Sequence, residues 1–235
     1  DNYGFLARDA ATGVTASIDA PDGELVLAEA QRLGWRVDLV LNTHWHADHI
    51  GGNPVLAAAG ATILGPAEVA RRGPVDRTVS PGDSVEIGET RLDVLDVGGH
   101  TLGHIAYHDP AGAIAFVGDA IFPLGCGRMF EGDAAQMWAS LQRLAALPDE
   151  TTVYCAHEYA AANARFALSV DTAPATVKRA RAVFAARARG EPTVPTNIAA
   201  ELETNPFLRA PILRPGLEPS AAFAEIRKLK DGFSG

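Results

Sequence analysis

Three histidines and an aspartate fall within six positions of the segment Thr43-His44-Trp45-His46-Ala47-Asp48-His49-Ile50-Gly51-Gly52. Imidazole nitrogens and carboxylate oxygens are the donors that suit zinc and its first-row neighbours. The chain has only seven histidines in 235 residues, so three of them in one loop is poorly explained by a polar loop of chance composition. The segment reads as a metal site. It follows the apolar run Val37-Asp38-Leu39-Val40-Leu41 directly, as a loop at a strand end would.

One loop does not complete such a site, and the same arrangement recurs three times. His100 follows the run Arg91–Val97 after two glycines, Asp119 follows Ala113–Val117 after Gly118, and His157 follows Thr152–Cys155 after Ala156. Four strand ends that each carry a ligand-type residue are expected to converge. Five histidines and two aspartates exceed one tetrahedral ion and fit two, with a carboxylate shared between them. Asp119 is the natural bridge. His104 is expected to play a structural or supporting role, and His108 to be a surface strand histidine. Two such ions acidify water and polarise a carbonyl, so hydrolysis of an acyl or phosphoryl compound is the expected chemistry. The chain carries no Gly-x-Ser-x-Gly elbow, phosphate loop or dinucleotide fingerprint. Neither cysteine reads as a nucleophile: Cys155 is expected to be a small buried hydrophobe, and Cys126 to be accessible in a Gly-rich loop.

The elements that must position these residues divide the chain. Val14–Ile18, Val37–Leu41, Thr62–Leu64, Ser84–Ile87, Arg91–Val97, Ile105–His108, Ala113–Val117 and Thr152–Cys155 read as strands. Leu25–Leu33 and Asp133–Leu147 read as helices; the second opens on a capping Asp and carries Met137, Trp138, Leu141 and Leu144 as a core stripe. After His157 come Glu158–Val170, Thr176–Gly190 and, beyond a Pro-rich connection, Pro219–Lys230, all helical in pattern. This predicts an α+β layered domain over residues 1–160 and a helical domain over 161–235. Charge divides likewise: the first 160 residues carry 9 basic and 22 acidic side chains, the remainder 11 and 7. An acidic body suits cations, and the basic remainder suits a small anionic substrate; nucleic acid is disfavoured for a chain of net charge −9. There is no transmembrane candidate, no signal-peptide layout and no disulfide framework, so a cytoplasmic protein is expected, as a monomer with no membrane partner.

The set Thr-His-x-His-x-Asp-His, with His100, Asp119 and His157, resembles the metallo-β-lactamase superfamily. More narrowly, the chain is similar to the glyoxalase II or hydroxyacylglutathione hydrolase family. Asp1-Asn2-Tyr3, Gly99-His100-Thr101-Leu102-Gly103-His104, Gly125-Cys126-Gly127-Arg128, Cys155-Ala156-His157-Glu158-Tyr159, Thr204-Asn205-Pro206-Phe207-Leu208-Arg209 and Arg227-Lys228-Leu229-Lys230-Asp231 carry that likeness. The resemblance implies a four-layer αββα sandwich followed by a small all-helical domain that binds glutathione. It implies one ion held by His44, His46, His100 and Asp119, and a second held by Asp48, His49, His157 and Asp119. Zinc is the expected metal, with iron or manganese also accommodated. The implied reaction is hydrolysis of a glutathione thioester such as S-lactoylglutathione to D-lactate and glutathione, the second step of methylglyoxal detoxification. In it a metal-bridged hydroxide, oriented by Asp48 and Asp119, attacks the thioester. Arg128, Phe130, Tyr159, Arg227 and Lys230 match the family's substrate-binding positions.

Two of these depart from the family pattern. Arg128 stands where Lys is usual, and Phe130 where Tyr is usual, which removes one hydroxyl contact worth roughly 0.5–1.5 kcal/mol. The alternatives within the superfamily are a lactonase or a single-iron persulfide dioxygenase, the latter disfavoured by the complete second ligand set. A nucleic-acid-processing member is the more distant alternative.

Overall fold

The computed structural model describes residues 2–235; Asp1 lies outside the described residues. The chain forms two compact units, one made of residues 2–96 and 103–118 and the other of residues 97–102 and 119–235. The first is built on strands and the second on helices.

All eight expected strands form, with ends shifted by no more than two residues. In the strand unit, Phe5–Arg8, Thr15–Ile18, Leu39–Leu41, Thr62–Gly65 and Arg77–Thr78 make a five-stranded sheet in that order. The first pair is antiparallel and the rest parallel, with Ile18 beside Leu41 and Leu41 beside Leu64. The helix Gly23–Leu33 supplies the crossover between Ile18 and Leu39. Asp22 caps it by accepting from the Glu24 and Leu25 amides, and Gly34 ends it in the left-handed region at φ 71°. Val26, Ala30, Val37, Val40, Leu56 and Ile63 form the core of this layer. The strands Ser84–Ile87, Thr90–Asp96, Ile105–Asp109 and Ile114–Gly118 pair as an antiparallel meander.

His108 departs from expectation. It lies on the strand Ile105–Asp109, whose two neighbours place Asp93 and Ala115 beside it, and it is 8% exposed rather than at the surface. A strand with neighbours on both sides buries polar positions that an edge strand would leave in water. Burial lowers the pKa of this imidazole.

In the helical unit, Asp133 caps Ala134–Ala145 by accepting from the Gln136 amide at 2.8 Å. Met137, Leu141 and Leu144 of that helix are buried, as the stripe predicted. The helices Ala160–Val170 and Pro174–Ala188 pack through Ala160, Ala164, Ala167, Ala180 and Val183. Phe166, Phe207 and Phe223 form a row with ring centroids 5.8 and 6.1 Å apart. The Pro-rich connection contributes a two-residue strand, Thr196–Asn197, paired antiparallel with Thr152–Cys155. Ile198–Thr204, Ala210–Leu213 and Pro219–Asp231 complete the helices.

Candidate metal centre and substrate residues

The strand unit contributes four expected donors. The chain leaves the strand Leu39–Leu41, passes through Asn42 and Thr43, and enters a one-turn helix, Ala47–Ile50. His44 and His49 are buried, while His46 is half-buried and Asp48 exposed. His44 Nε2 lies 3.1 Å from His46 Nδ1, and the His44 and His49 rings are 4.0 Å apart between centroids. His49 Nε2 is 3.7 Å from Asp48 Oδ2. His104 is fully buried and stacks on His44 at 4.5 Å.

Asp19 orients this set. It is buried, follows the strand Thr15–Ile18, and has a positive φ of 55°, a left-handed conformation that Asp tolerates better than most residues. Its carboxylate accepts from the Thr43 amide at 2.8 Å, the Thr43 hydroxyl at 2.9 Å and His49 Nδ1 at 2.8 Å. Because the Thr43 hydroxyl donates its one proton to that carboxylate, His44 Nδ1, 3.0 Å away, is the donor to Thr43 Oγ1. Both imidazoles are thereby held as the tautomer that presents an Nε2 lone pair, the state a metal ligand requires. Sequence reasoning missed Asp19. A ligand-type residue immediately after an apolar strand was the criterion that found His100, Asp119 and His157; applied to Thr15–Ile18, it would have found this one.

The helical unit holds the other three donors. His100 Nδ1 donates to the Arg128 carbonyl at 2.7 Å, which again leaves Nε2 for a ligand. Asp119 lies between two imidazoles: His100 Nε2 is 3.3 Å from one carboxylate oxygen and His157 Nε2 is 3.3 Å from the other. One carboxylate facing a nitrogen donor at each oxygen is the arrangement a bridging ligand needs. Gly127 makes the close approach possible, since a Cβ there would sit 2.1 Å from the Asp119 carbonyl oxygen.

The expected substrate residues gather in the same helical unit, with unequal freedom. Tyr159 stacks on His157 at 4.7 Å, and Phe130 meets His100 edge-on at 5.3 Å with 59% of its surface exposed. Arg128 lies over the Phe130 ring at 5.6 Å, with 64% of its side chain exposed. Lys230 is half-buried, donates to the Ala162 carbonyl at 3.2 Å, and has its pKa lowered to about 8 by burial and by the nearby Arg227 and Arg165. Arg227 is only 4% exposed. It donates to the Cys126 carbonyl at 3.2 Å and to Asp231 Oδ1 at 2.8 Å, and lies 5.0 Å over Phe207. The helix spacing that put Arg227 and Lys230 on one face is observed, but Arg227 is already committed to partners within the fold.

Cys126 is buried rather than accessible, because the Arg227 side chain covers it; burial pushes its thiol up to about 11. Cys155 is fully buried, as expected of a small hydrophobe. The short hairpin Ile121–Phe122 and Gly125–Cys126, which leads to Arg128, is held by amide side chains. Asn205 donates to the Phe122 and Gly125 carbonyls, and Asn163 to that of Pro123. Glu201, paired with Arg179, accepts from the Leu124 amide and from Asn205.

Comparison with known proteins bears directly on this arrangement. The Metallo-beta-lactamase superfamily model matches residues 9–157, which contain every expected metal donor, and the Hydroxyacylglutathione hydrolase C-terminus model matches residues 158–233. The chain is 53% identical over 240 residues to a hydroxyacylglutathione hydrolase of Erythrobacter litoralis, covering 99% of this chain and 96% of that protein. It is 51% identical to one of Maricaulis maris, covering 99% and 95%. Among solved structures it is similar to ETHE1 from Myxococcus xanthus, at 29% identity and a TM-score of 0.70 over 98% of this chain and 90% of that one. It is also similar to TTHA1623 in a di-iron-bound form, at 27% identity and a TM-score of 0.64 over 88% and 96%. The α+β architecture is therefore the metallo-β-lactamase fold with a helical C-terminal region, and the chain belongs to the hydroxyacylglutathione hydrolase family of that superfamily.

Proposed function

We infer that the protein is a metal-dependent thioesterase that hydrolyses glutathione thioesters such as S-lactoylglutathione, releasing D-lactate and glutathione. The observation that carries the substrate class is the hydroxyacylglutathione hydrolase match over residues 158–233, where Arg227 and Lys230 lie. It favours a glutathione thioester over the lactone, glutathione persulfide and nucleic-acid alternatives.

The donor set fits divalent metal. It comprises imidazoles, three of them buried with Nδ1 tied to an oxygen acceptor, together with carboxylates and no thiolate, a set that accommodates zinc, iron or manganese. We propose two ions. His44, His46, His100 and Asp119 would hold one; Asp48, His49, His157 and Asp119 the other. The two-sided setting of Asp119 supports a shared ligand. Such ions supply Lewis acidity, acidifying water and polarising the thioester carbonyl.

The chain's own residues do the rest. Asp19 and Thr43 keep His49 and His44 in the ligand tautomer, and Asp48 and Asp119 are the carboxylates that orient the attacking water. Arg128, which lies over the Phe130 ring, and Lys230 are the cations able to take the substrate's carboxylates, while Tyr159 stacks on the expected donor His157. Arg227 contributes chiefly by fixing the Gly125–Arg128 turn to the last helix. A thiolate leaves without needing a strong general acid, so no further proton donor is required of the fold. We further read residues 1–160 as the hydrolase domain and 161–235 as the glutathione-binding domain. We also propose a cytoplasmic monomer with neither nucleic-acid nor membrane partner. The two cysteines are free, which supports a reducing compartment, and among the described residues no helix is long and apolar enough to cross a membrane.

The test is thiol release from S-lactoylglutathione by protein reconstituted separately with zinc, iron and manganese, with metal content measured on the same samples. Fully metal-loaded protein that releases no thiol would remove this reading. One iron per chain with oxygen uptake on glutathione persulfide would replace it with the dioxygenase.

A further inference from the structure

Trp45 sits in sequence between the donors His44 and His46, and its ring meets the His46 ring edge-on with centroids 4.6 Å apart. The guanidinium carbon of Arg72 lies 3.9 Å over the centre of that indole. Arg72 is exposed, and among the described residues it takes part in no ion pair. A guanidinium this close to an indole is held there by cation–π attraction, and it keeps the paired N–H donors that meet a carboxylate with two parallel hydrogen bonds. A guanidinium on an aromatic face also has fewer orientations to lose on binding than one in open water. This cation, which follows the helix Ala67–Ala70 and rests against Trp45 of the donor loop, therefore stands ready for an anion that the protein itself does not supply.

The thioester has two substituents on its carbonyl. One is glutathione sulfur, whose carboxylates are assigned above to Arg128 and Lys230. The other is the acyl group. We propose that Arg72, held on Trp45, is a specificity residue for the acyl half, so that the enzyme takes glutathione thioesters whose acyl chain ends in a carboxylate. The proposal rests on the thioesterase reading. His44 and His49 are buried, whereas His46 and its ring neighbour Trp45 are half-buried and Asp48 and Arg72 are exposed, so the guanidinium reaches solvent one aromatic ring away from an expected metal donor.

The test compares three substrates with the metal-loaded enzyme: S-succinylglutathione, its neutral isostere S-(4-methylpentanoyl)glutathione, and S-lactoylglutathione. The wild type is expected to favour the succinyl over the isosteric thioester in kcat/KM by roughly tenfold at low ionic strength, with the preference shrinking as salt is added. Arg72→Gln should reduce that ratio by about the same factor, through the KM of the succinyl thioester, and Arg72→Lys by less. Because the readout is a ratio on one preparation, incomplete metal loading cancels. An unchanged ratio in Arg72→Gln overturns the proposal. Should that variant not fold, the wild-type ratio and its salt dependence decide, and a wild type that hydrolyses S-lactoylglutathione without preferring the succinyl ester also overturns it. Failure to hydrolyse any of the three overturns the thioesterase reading instead.

Discussion

The donor loop of the strand unit and the cation set of the helical unit solve opposite problems. Around His44 and His49 the structure removes freedom: both rings are buried, and each Nδ1 is tied, through Thr43 or directly, to Asp19. Around Arg128, Phe130, Tyr159, Arg227 and Lys230 it grades freedom, from a guanidinium 4% exposed to one whose side chain is 64% exposed. Metal ligands must be deprotonated, aimed and fixed, because each imidazole coordinates through one lone pair in one direction. Residues that hold a flexible anionic peptide need only charge and reach. The roles should therefore separate under mutation, with losses in metal binding on one side and in KM or stability on the other.

The sharpest separation comes from Asp119, which faces both His100 and His157. Metal Lewis acidity contributes several kcal/mol of transition-state stabilisation, so Asp119→Ala should lower kcat by on the order of 10³-fold, with bound metal falling in parallel. Retention of full metal content would mean that the carboxylate is not a ligand. Asp19→Asn follows. The isosteric amide keeps an oxygen acceptor for one partner but loses the anion that fixes His49, and outer partners of this kind change metal affinity by roughly 10–100-fold. Competition with a chelator measures this directly. An affinity unchanged within twofold would leave Asp19 a purely structural residue and blur the contrast.

How far the contrast was legible beforehand depended on what kind of contact made it. His44, His46, Asp48, His49, His100, Asp119 and His157 could be read because an apolar run followed by a polar ligand type records a strand end, and strand pairing is written in the period-two pattern. Asp19 obeys the same pattern, directly after Thr15–Ile18, and was overlooked. The short helices Ala47–Ile50, Asn53–Ala58 and Ala67–Ala70 span one or two turns, too few for a helical period to appear. The edge strands Phe5–Arg8 and Thr196–Asn197 are fixed by their partners rather than by their own composition. The burial of Arg227 and Cys126 comes from elements distant in sequence, and that of His108 from its strand having a neighbour on each side. Helical spacing showed that Arg227 and Lys230 share a face, but the distant Cys126 carbonyl and the Phe207 ring decided that Arg227 is buried against that turn.

The cation set should itself divide. Arg227→Ala removes charge-assisted hydrogen bonds worth about 1.5–3 kcal/mol and leaves the Cys126 carbonyl without that donor. A Tm lower by roughly 5 °C is expected along with a raised KM. Lys230→Ala should raise KM with a much smaller change in Tm, and equal Tm losses would show that the two residues are structural to the same degree.

Lys230 also sets a pH dependence. Its pKa is lowered from 10.5 to about 8, chiefly by burial, so it is an ammonium ion below pH 8 and increasingly a neutral amine above it. KM should be level up to about pH 7 and rise by a few-fold between pH 8 and 9.5, a rise that Lys230→Arg, charged throughout, should remove. Stability responds in the opposite direction. Between about pH 8 and 10.5 the unfolded chain keeps a proton on this lysine that the folded chain has lost, so this group's unfavourable contribution is relieved as pH rises through that window.

The smallest expected change restores a contact. Phe130 is 59% exposed, meets His100 edge-on and carries Arg128 over its face, so its ring is already placed beside the proposed substrate cation. Phe130→Tyr adds a hydroxyl at the para position with no clash expected at so open a site. A single neutral hydrogen bond contributes about 0.5–1.5 kcal/mol, and solvent competition at an exposed ring favours the lower end, so KM for S-lactoylglutathione should fall by roughly two- to fivefold at constant kcat. A fall in kcat instead would show that the ring acts on the donor residue His100 beside it rather than on the bound peptide, and would move Phe130 to the metal side of the comparison.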